Sequence, residues 1–111
     1  MLQPLLILST APNEDEAARI ARALVEDRLA ACVNIVTGAR SIYRWQGAIE
    51  DSPETLLVIK SDRRLFTELS RRLAALHPYT TPEIIAVPIK YGSEPYLAWL
   101  ASELKPAEAA Q

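Results

Sequence analysis

The chain has 111 residues, of which 50% are hydrophobic and 23% are charged, and its formal net charge is -2. A chain of this length is predicted to form one domain, residues 1–111, around a single core. Because the net charge is slightly negative and no basic cluster is present, the composition argues against a nucleic-acid partner.

The first apolar segment and the cysteine content predict where the protein works. The apolar run ends at Ser9 and Thr10, and no basic residue precedes it, so neither a signal peptide nor a transmembrane helix is expected. A single cysteine cannot form a disulfide within the chain, which suits a reducing compartment. We therefore expect a cytoplasmic protein without a membrane partner.

The N-terminal part of the chain predicts a strand followed by a helix. Residues 5–10 are almost all apolar, as in a central strand that is buried on both faces. Asn13 is a suitable helix N-cap, with Glu16 three residues later. Apolar residues then recur at helical spacing, which predicts an amphipathic helix over residues 14–29.

The next predicted strand is unusually long. Residues 32–45 are rich in β-branched and aromatic side chains, and a strand of this length would span about 45 Å. Gly38 is the expected bend, because an isolated glycine within a strand usually marks a bulge. Gln46 and Gly47 predict a hairpin turn, and the returning strand carries the apolar residues 55–59.

The second half of the chain predicts helix, strand and helix. Asp62 is the expected cap of the second helix, which ends before Pro78 because the residue preceding a proline disfavours helical geometry. Residues 84–89 predict an edge strand, since Pro88 lacks the N–H that a central strand needs. Ser93 is the expected cap of a third, C-terminal helix.

This order of elements, βαββαβα, begins with the six elements of a ferredoxin-like fold of the α+β class. Right-handed connections place the first and third strands at the centre of the antiparallel sheet and the second and fourth at its edges. The long strand is then an edge whose only charges are Arg40 and Arg44, and an exposed edge of this kind favours pairing with another copy. A closed ring of such pairings is a symmetric homo-oligomer.

Five separated motifs stand out along the chain: Ala-Cys-Val-Asn-Ile at 31–35, Ser-Ile-Tyr-Arg-Trp-Gln-Gly at 41–47, His-Pro-Tyr at 77–79, Pro-Glu-Ile at 82–84 and Tyr-Leu-Ala-Trp-Leu at 96–100. They resemble those of the CutA divalent-cation tolerance family, in the same order and over nearly the whole chain. The resemblance implies a ferredoxin-like subunit in a PII-like homotrimer, with the long edge strands pairing between subunits. It also implies a cytoplasmic protein linked to metal tolerance, with copper the ion usually named.

The soft ligands that copper prefers are few in this chain: Cys32, His77 and Met1. The resemblance implies copper ligands at a first-strand cysteine and at two histidines, and the matching positions here hold Ser9, Leu76 and His77. His77 is therefore the metal candidate, for copper or another divalent cation, with helix termination and a local hydrogen bond as the alternative. Cys32 is expected to be a small buried residue at the start of a strand.

Aromatic and charged residues near the long strand predict a ligand cleft between subunits. Tyr43 and Trp45 share one face of the strand, and the other members lie on the returning strand, the last helix and the connector, the proline-bounded segment between the second helix and the last strand. The alternative is interface packing, in which Lys60 pairs with Glu83. The predicted cleft residues are Tyr43, Trp45, Lys60, His77, Tyr79, Glu83 and Trp99.

Catalysis is the weakest functional interpretation of the sequence. His77 with Glu83 would suit acid-base chemistry, and Cys32 would suit a nucleophile, but no phosphate loop, carboxylate-rich metal cluster or triad-like motif accompanies them. We expect no enzyme. Two functions remain open, a metal-tolerance protein that binds a divalent metal or a small ligand, and a structural or signalling interaction protein without either activity.

Overall fold

The computed structural model describes residues 2–107 of the chain, and its elements follow the predicted order. A short 3-10 turn, Arg63–Leu65, precedes the second helix. The elements are β1 (Pro4–Ala11), α1 (Glu14–Glu26), β2 (Cys32–Trp45), β3 (Ala48–Asp62), α2 (Phe66–Leu76), β4 (Ile85–Pro88) and α3 (Glu94–Glu103).

The sheet has four antiparallel strands in the order β2-β3-β1-β4, which confirms that the first and third strands are central. The prediction that β1 is buried on both faces is wrong. Ile7, Ser9 and Ala11 are fully buried, but the residues between them are half-buried. Because successive side chains point to opposite faces, one face of β1 lies in the core and the other stays partly open.

The core lies between this buried sheet face and the helices. α1 and α2 each contribute one apolar stripe, as their periodicity predicts, and β1 and β3 contribute alternate residues. α3 adds Leu100, which is fully buried. The largest apolar side chains of this core are Ile7, Ile20, Leu24, Leu57, Ile59, Leu65, Leu69, Leu73 and Leu100.

Two of the three predicted helix caps differ in detail from expectation. The Asn13 side chain accepts a hydrogen bond from the Glu16 backbone at 2.8 Å, as predicted. Asp62 caps the 3-10 turn before α2 by accepting from the Arg64 backbone at 3.1 Å. Ser93 precedes α3 without a side-chain cap hydrogen bond.

α1 ends at Glu26, earlier than predicted, and the chain leaves it through a left-handed residue, Arg28, with φ of 58°.

The long hairpin has the predicted bend and turn. The register between β2 and β3 shifts between Val36 and Ala39, where Gly38 adopts a φ of 87°. The turn places Gln46 and Gly47 at φ values of 50° and 83°, as a tight hairpin turn requires. Beyond the bulge most residues of both strands are exposed, so this half of the hairpin extends away from the core.

Two fully buried serines make a matched test of polar burial. The Ser61 hydroxyl donates to the Leu29 carbonyl at 2.6 Å, whereas the Ser9 hydroxyl has no hydrogen-bond partner within residues 2–107. We expect Ser61→Ala to lower the free energy of unfolding by about 1 to 2 kcal/mol, and Ser9→Ala to leave it unchanged or raise it by about 1 kcal/mol. Denaturant unfolding at one protein concentration measures both; equal losses for the two variants would contradict the difference.

Candidate functional site

The structure places four of the predicted cleft residues in two separate clusters, His77 and Tyr79 in one and Lys60 and Trp99 in the other. We call the first the His77 cluster, formed by Thr10, Glu54, His77 and Tyr79, and the second the Lys60 cluster, formed by Cys32, Asn34, Lys60, Tyr96 and Trp99. Glu54 and Lys60 both lie on β3, six residues or about 20 Å apart along the strand. One chain therefore does not bring all the predicted residues into a single cleft.

His77 is buried directly after α2, where Pro78 prevents the helix from continuing. Its Nε2 donates to the carbonyl oxygen of Thr10 at 2.7 Å. Its Nδ1 accepts a hydrogen bond from the Tyr79 backbone N–H at 3.1 Å. These two partners specify a neutral imidazole with its proton on Nε2, so both ring nitrogens are already used.

The Tyr79 side chain connects this segment to the long hairpin. Its hydroxyl donates to Oε2 of Glu54 at 2.7 Å, and its ring lies 4.7 Å from the His77 ring. Burial, followed by the hydrogen bond and charge of Glu54 and a smaller contribution from Tyr43, raises the pKa of Tyr79. The nearly buried Glu54 thus has a donor for its carboxylate, and the connector is tied to β3 beside the bulge.

A resident divalent cation does not fit the ligands that one chain offers. Both His77 nitrogens hold backbone partners, and a ring nitrogen must give up its partner to bind a metal. Ser9 is buried, and Met1 lies outside the described residues. Across residues 2–107, no three His, Cys, Asp or Glu side chains form a group able to hold a metal ion.

The Lys60 cluster lies at the other end of the hairpin, where Lys60 pairs across the strands with Cys32. The ammonium donates to the Asn34 amide oxygen and lies 3.9 Å from the Cys32 sulfur. Cys32 is expected to be buried, but it is only half-buried, because it stands on an edge strand. Lys60 and Glu83 do not pair within one chain, since β1 separates β3 from the segment that leads into β4, so their pairing at an interface stays a prediction.

Two aromatic residues of α3 complete the Lys60 cluster. The Tyr96 and Trp99 rings lie 5.5 Å apart, and the Tyr96 hydroxyl interacts with the Cys32 thiol. Burial is the main cause that raises the pKa of Tyr96, and the charge of Cys32 and its hydrogen bond with the hydroxyl contribute further. Trp99, a predicted cleft residue, thus joins the cluster through its contact with Tyr96.

Other predicted members lie apart from both clusters. Trp45 is half-exposed at the hairpin tip, and Glu83 is exposed in the connector. Sequence reasoning missed Glu54, Asn34 and Tyr96 as site residues. The register of the hairpin could have indicated Asn34. Cys32 pairs with Lys60 across the two strands, and Asn34, two residues after Cys32, lies on the same face of the sheet as both.

The family model for the CutA1 divalent ion tolerance protein matches residues 5–103. The chain belongs to this family. The motif resemblance is therefore confirmed, as is the ferredoxin-like subunit fold. Within residues 2–107, no helix combines the length and apolar character needed to cross a bilayer.

Relatives of the chain span bacteria and eukaryotes. It is 55% identical over 95 residues to the divalent-cation tolerance protein CutA of Thermus thermophilus, covering 86% of this chain and 92% of that protein. A solved CutA1 structure from Thermus thermophilus has 51% identity and a TM-score of 0.89, covering 92% of this chain and 99% of that one. CutA of Mus musculus is 47% identical over 82% of this chain, which spans 51% of the mouse protein's length.

The Tyr79–Glu54 hydrogen bond predicts a pH-dependent stability. Tyr79→Phe leaves a nearly buried carboxylate without its donor, so we expect the free energy of unfolding to fall by about 1 to 2 kcal/mol at neutral pH. Because the pKa of Tyr79 is raised in the folded state, its contribution is complete below about pH 10, where the unfolded tyrosine is neutral, and declines as the pH rises further.

Denaturant unfolding between pH 7 and about pH 11 measures this effect. Tyr91→Phe is the matched control, because Tyr91 is 83% exposed. The wild type should lose stability more steeply than Tyr79→Phe at the alkaline end, and parallel curves for the two proteins would contradict the assignment.

Proposed function

We propose that this CutA1-family protein works as a cytoplasmic, non-enzymatic homotrimer in divalent-cation tolerance, with its ligand site beside the long hairpin. The family assignment supports the tolerance role. The number of copies follows the resemblance to CutA proteins, and the single cysteine supports a reducing compartment. Relatives carry other locations in their names: a chloroplastic CutA in Arabidopsis thaliana and a periplasmic one in Archaeoglobus fulgidus.

The observation that carries the assembly is the apolar surface of the hairpin beyond its bulge. Ile42 and Ile49 are 64% and 61% exposed there, and Trp45 is 48% exposed at the tip. At the opposite edge of the sheet, Ile85 and Val87 of β4 are 55% and 53% exposed. Both edges present unpaired backbone groups with apolar side chains, which favours their burial against further copies of the chain.

Two different exposed edges on one chain favour a ring. When one edge meets a different edge of the next copy, the contact is head-to-tail, and such contacts close into a cyclic oligomer if the rotation allows. Closure also removes the free edges that would otherwise promote aggregation. A trimeric ring is the closed assembly that the family resemblance implies.

A divalent cation such as copper, if bound, takes ligands from more than one copy. The side chains of one subunit support this proposal. Within residues 2–107 no three metal-binding side chains form a group, and both His77 nitrogens have backbone partners. The same saturation of His77 favours the second candidate function, an interaction or signalling protein that binds no metal. It also occupies the imidazole on which the acid-base interpretation relied, which supports the non-enzymatic assignment.

Placing a charge in the exposed hairpin tests the assembly. Ile49→Asp buries a carboxylate in the proposed contact, so we expect the trimer to give way to smaller species. Val25→Asp is the matched control, because Val25 is an exposed apolar residue of α1, 41% accessible and outside both sheet edges. Light scattering during size-exclusion chromatography measures the mass, and a wild-type monomer would refute the assembly.

Calorimetric titration with Cu(II) separates the two candidate functions. The tolerance proposal predicts saturable heat for the wild type and for Val25→Asp, with loss of that heat in Ile49→Asp as the assembly is lost. His77→Gln should retain the heat of Cu(II) binding, because both nitrogens of the wild-type His77 ring are hydrogen-bonded to the backbone and do not bind the metal. Absence of saturable heat in the wild type would favour the interaction protein instead.

A further inference from the structure

The Lys60 ammonium lacks a counterion in the fold. Lys60 is half-buried on β3, and its partners are neutral, the Asn34 amide oxygen and the Cys32 sulfur. Within residues 2–107, the ion pairs of the chain join other residues, and none includes Lys60. A cation that is partly withdrawn from water without a carboxylate partner gains by binding an anion.

The groups around Lys60 include further side chains that can donate hydrogen bonds. An ammonium has three donors, and the Asn34 oxygen and the Cys32 sulfur use two of them, which leaves one for a ligand. The Tyr96 hydroxyl stands beside the Cys32 thiol, and the Trp99 ring follows one turn later on α3. Donors of this kind suit carboxylate and phosphate oxygens, whereas the positive charge 3.9 Å from the only thiol of the chain repels a divalent cation.

We infer that the Lys60 cluster is a binding site for a small oxyanion, a carboxylate or a phosphate, with Lys60 as its charged contact. All five residues of the cluster belong to one chain, so the site does not require a second copy. The inference rests on the proposed function in one respect, the presence of a ligand site beside the long hairpin, and it names the chemical class of that ligand.

The single cysteine provides a probe at the site itself. Iodoacetate and iodoacetamide both alkylate a thiolate with loss of iodide, but iodoacetate carries a carboxylate and iodoacetamide is neutral. The ratio of their rates cancels the fraction of Cys32 that is ionised and reports the attraction of the site for an anion. We expect this ratio to be about fivefold higher in the folded protein than in urea, as one unit charge at 4 Å predicts.

Two lysine variants test whether Lys60 is responsible. Lys60→Met should return the ratio to its value in urea, and Lys60→Arg should retain most of the increase. Lys90→Met is the matched control, because Lys90 is an exposed lysine whose ammonium also lies beside a tyrosine, 5.4 Å from the Tyr91 ring centre. It should leave the ratio unchanged. An equal ratio in folded and unfolded protein, a ratio insensitive to Lys60→Met, or a native thiol that neither reagent reaches would overturn the inference.

Competition then distinguishes the two sources of oxyanion. Inorganic phosphate and succinate are added separately at constant ionic strength, and the anion that fits should slow iodoacetamide labelling in the wild type and not in Lys60→Met. Failure of both anions to protect Cys32 in the wild type would overturn the site. Light scattering on the same samples reports the assembly, so a missing trimer with intact protection refutes the proposed assembly and leaves the oxyanion site standing.

Discussion

The antiparallel pairing of β2 with β3 is the interaction on which the rest of the structure depends. Its inner half places Leu57 and Ile59 of β3 in the core and aligns Cys32 with Lys60. The bulge at Gly38 then redirects the ladder, so the outer half leaves the core and presents apolar side chains to solvent. One hairpin therefore contributes to the stability of the subunit, to one candidate site and to the surface proposed for assembly.

The two clusters along this hairpin differ in electrostatic character. In the His77 cluster, a nearly buried carboxylate has a tyrosine donor, and the imidazole is held between two backbone groups. Such a network is satisfied internally, which suits a structural role that ties the connector to the sheet. In the Lys60 cluster, the cation contacts only neutral groups among residues 2–107, so its charge remains available to a ligand.

The family name refers to divalent cations, whereas the side chains of a single subunit do not form a cation site among residues 2–107. Divalent-cation tolerance is the family to which the sequence belongs, yet the soft ligands within residues 2–107, Cys32 and His77, lie in different clusters. One has an ammonium as its neighbour, and the other has no free ring nitrogen. A direct role in metal binding would therefore need ligands from more than one copy in the proposed assembly, whereas the proposed lysine site needs one subunit alone.

The sequence alone determined most of the fold, because local signals carry it. Periodicity predicted the strands and helices, the glycine at 38 predicted the bulge, and the connection rules predicted the strand order. It also determined the family. Local signals predicted individual hydrogen bonds less well. Ser93 is at the N-cap position of α3, as its residue type predicts, yet its side chain makes no capping hydrogen bond.

The tertiary structure alone decided which side chains meet. Glu54 and Tyr79 are 25 residues apart and lie on different elements, so no spacing along the chain announces their contact, whereas Lys60 and Asn34, 26 apart, meet through the register of one hairpin. The exposure of Cys32 and the occupied nitrogens of His77 likewise depend on what packs around them. Hydrophobic periodicity reports how a segment meets the core, whereas polar contacts depend on the position of single atoms brought together by the complete fold.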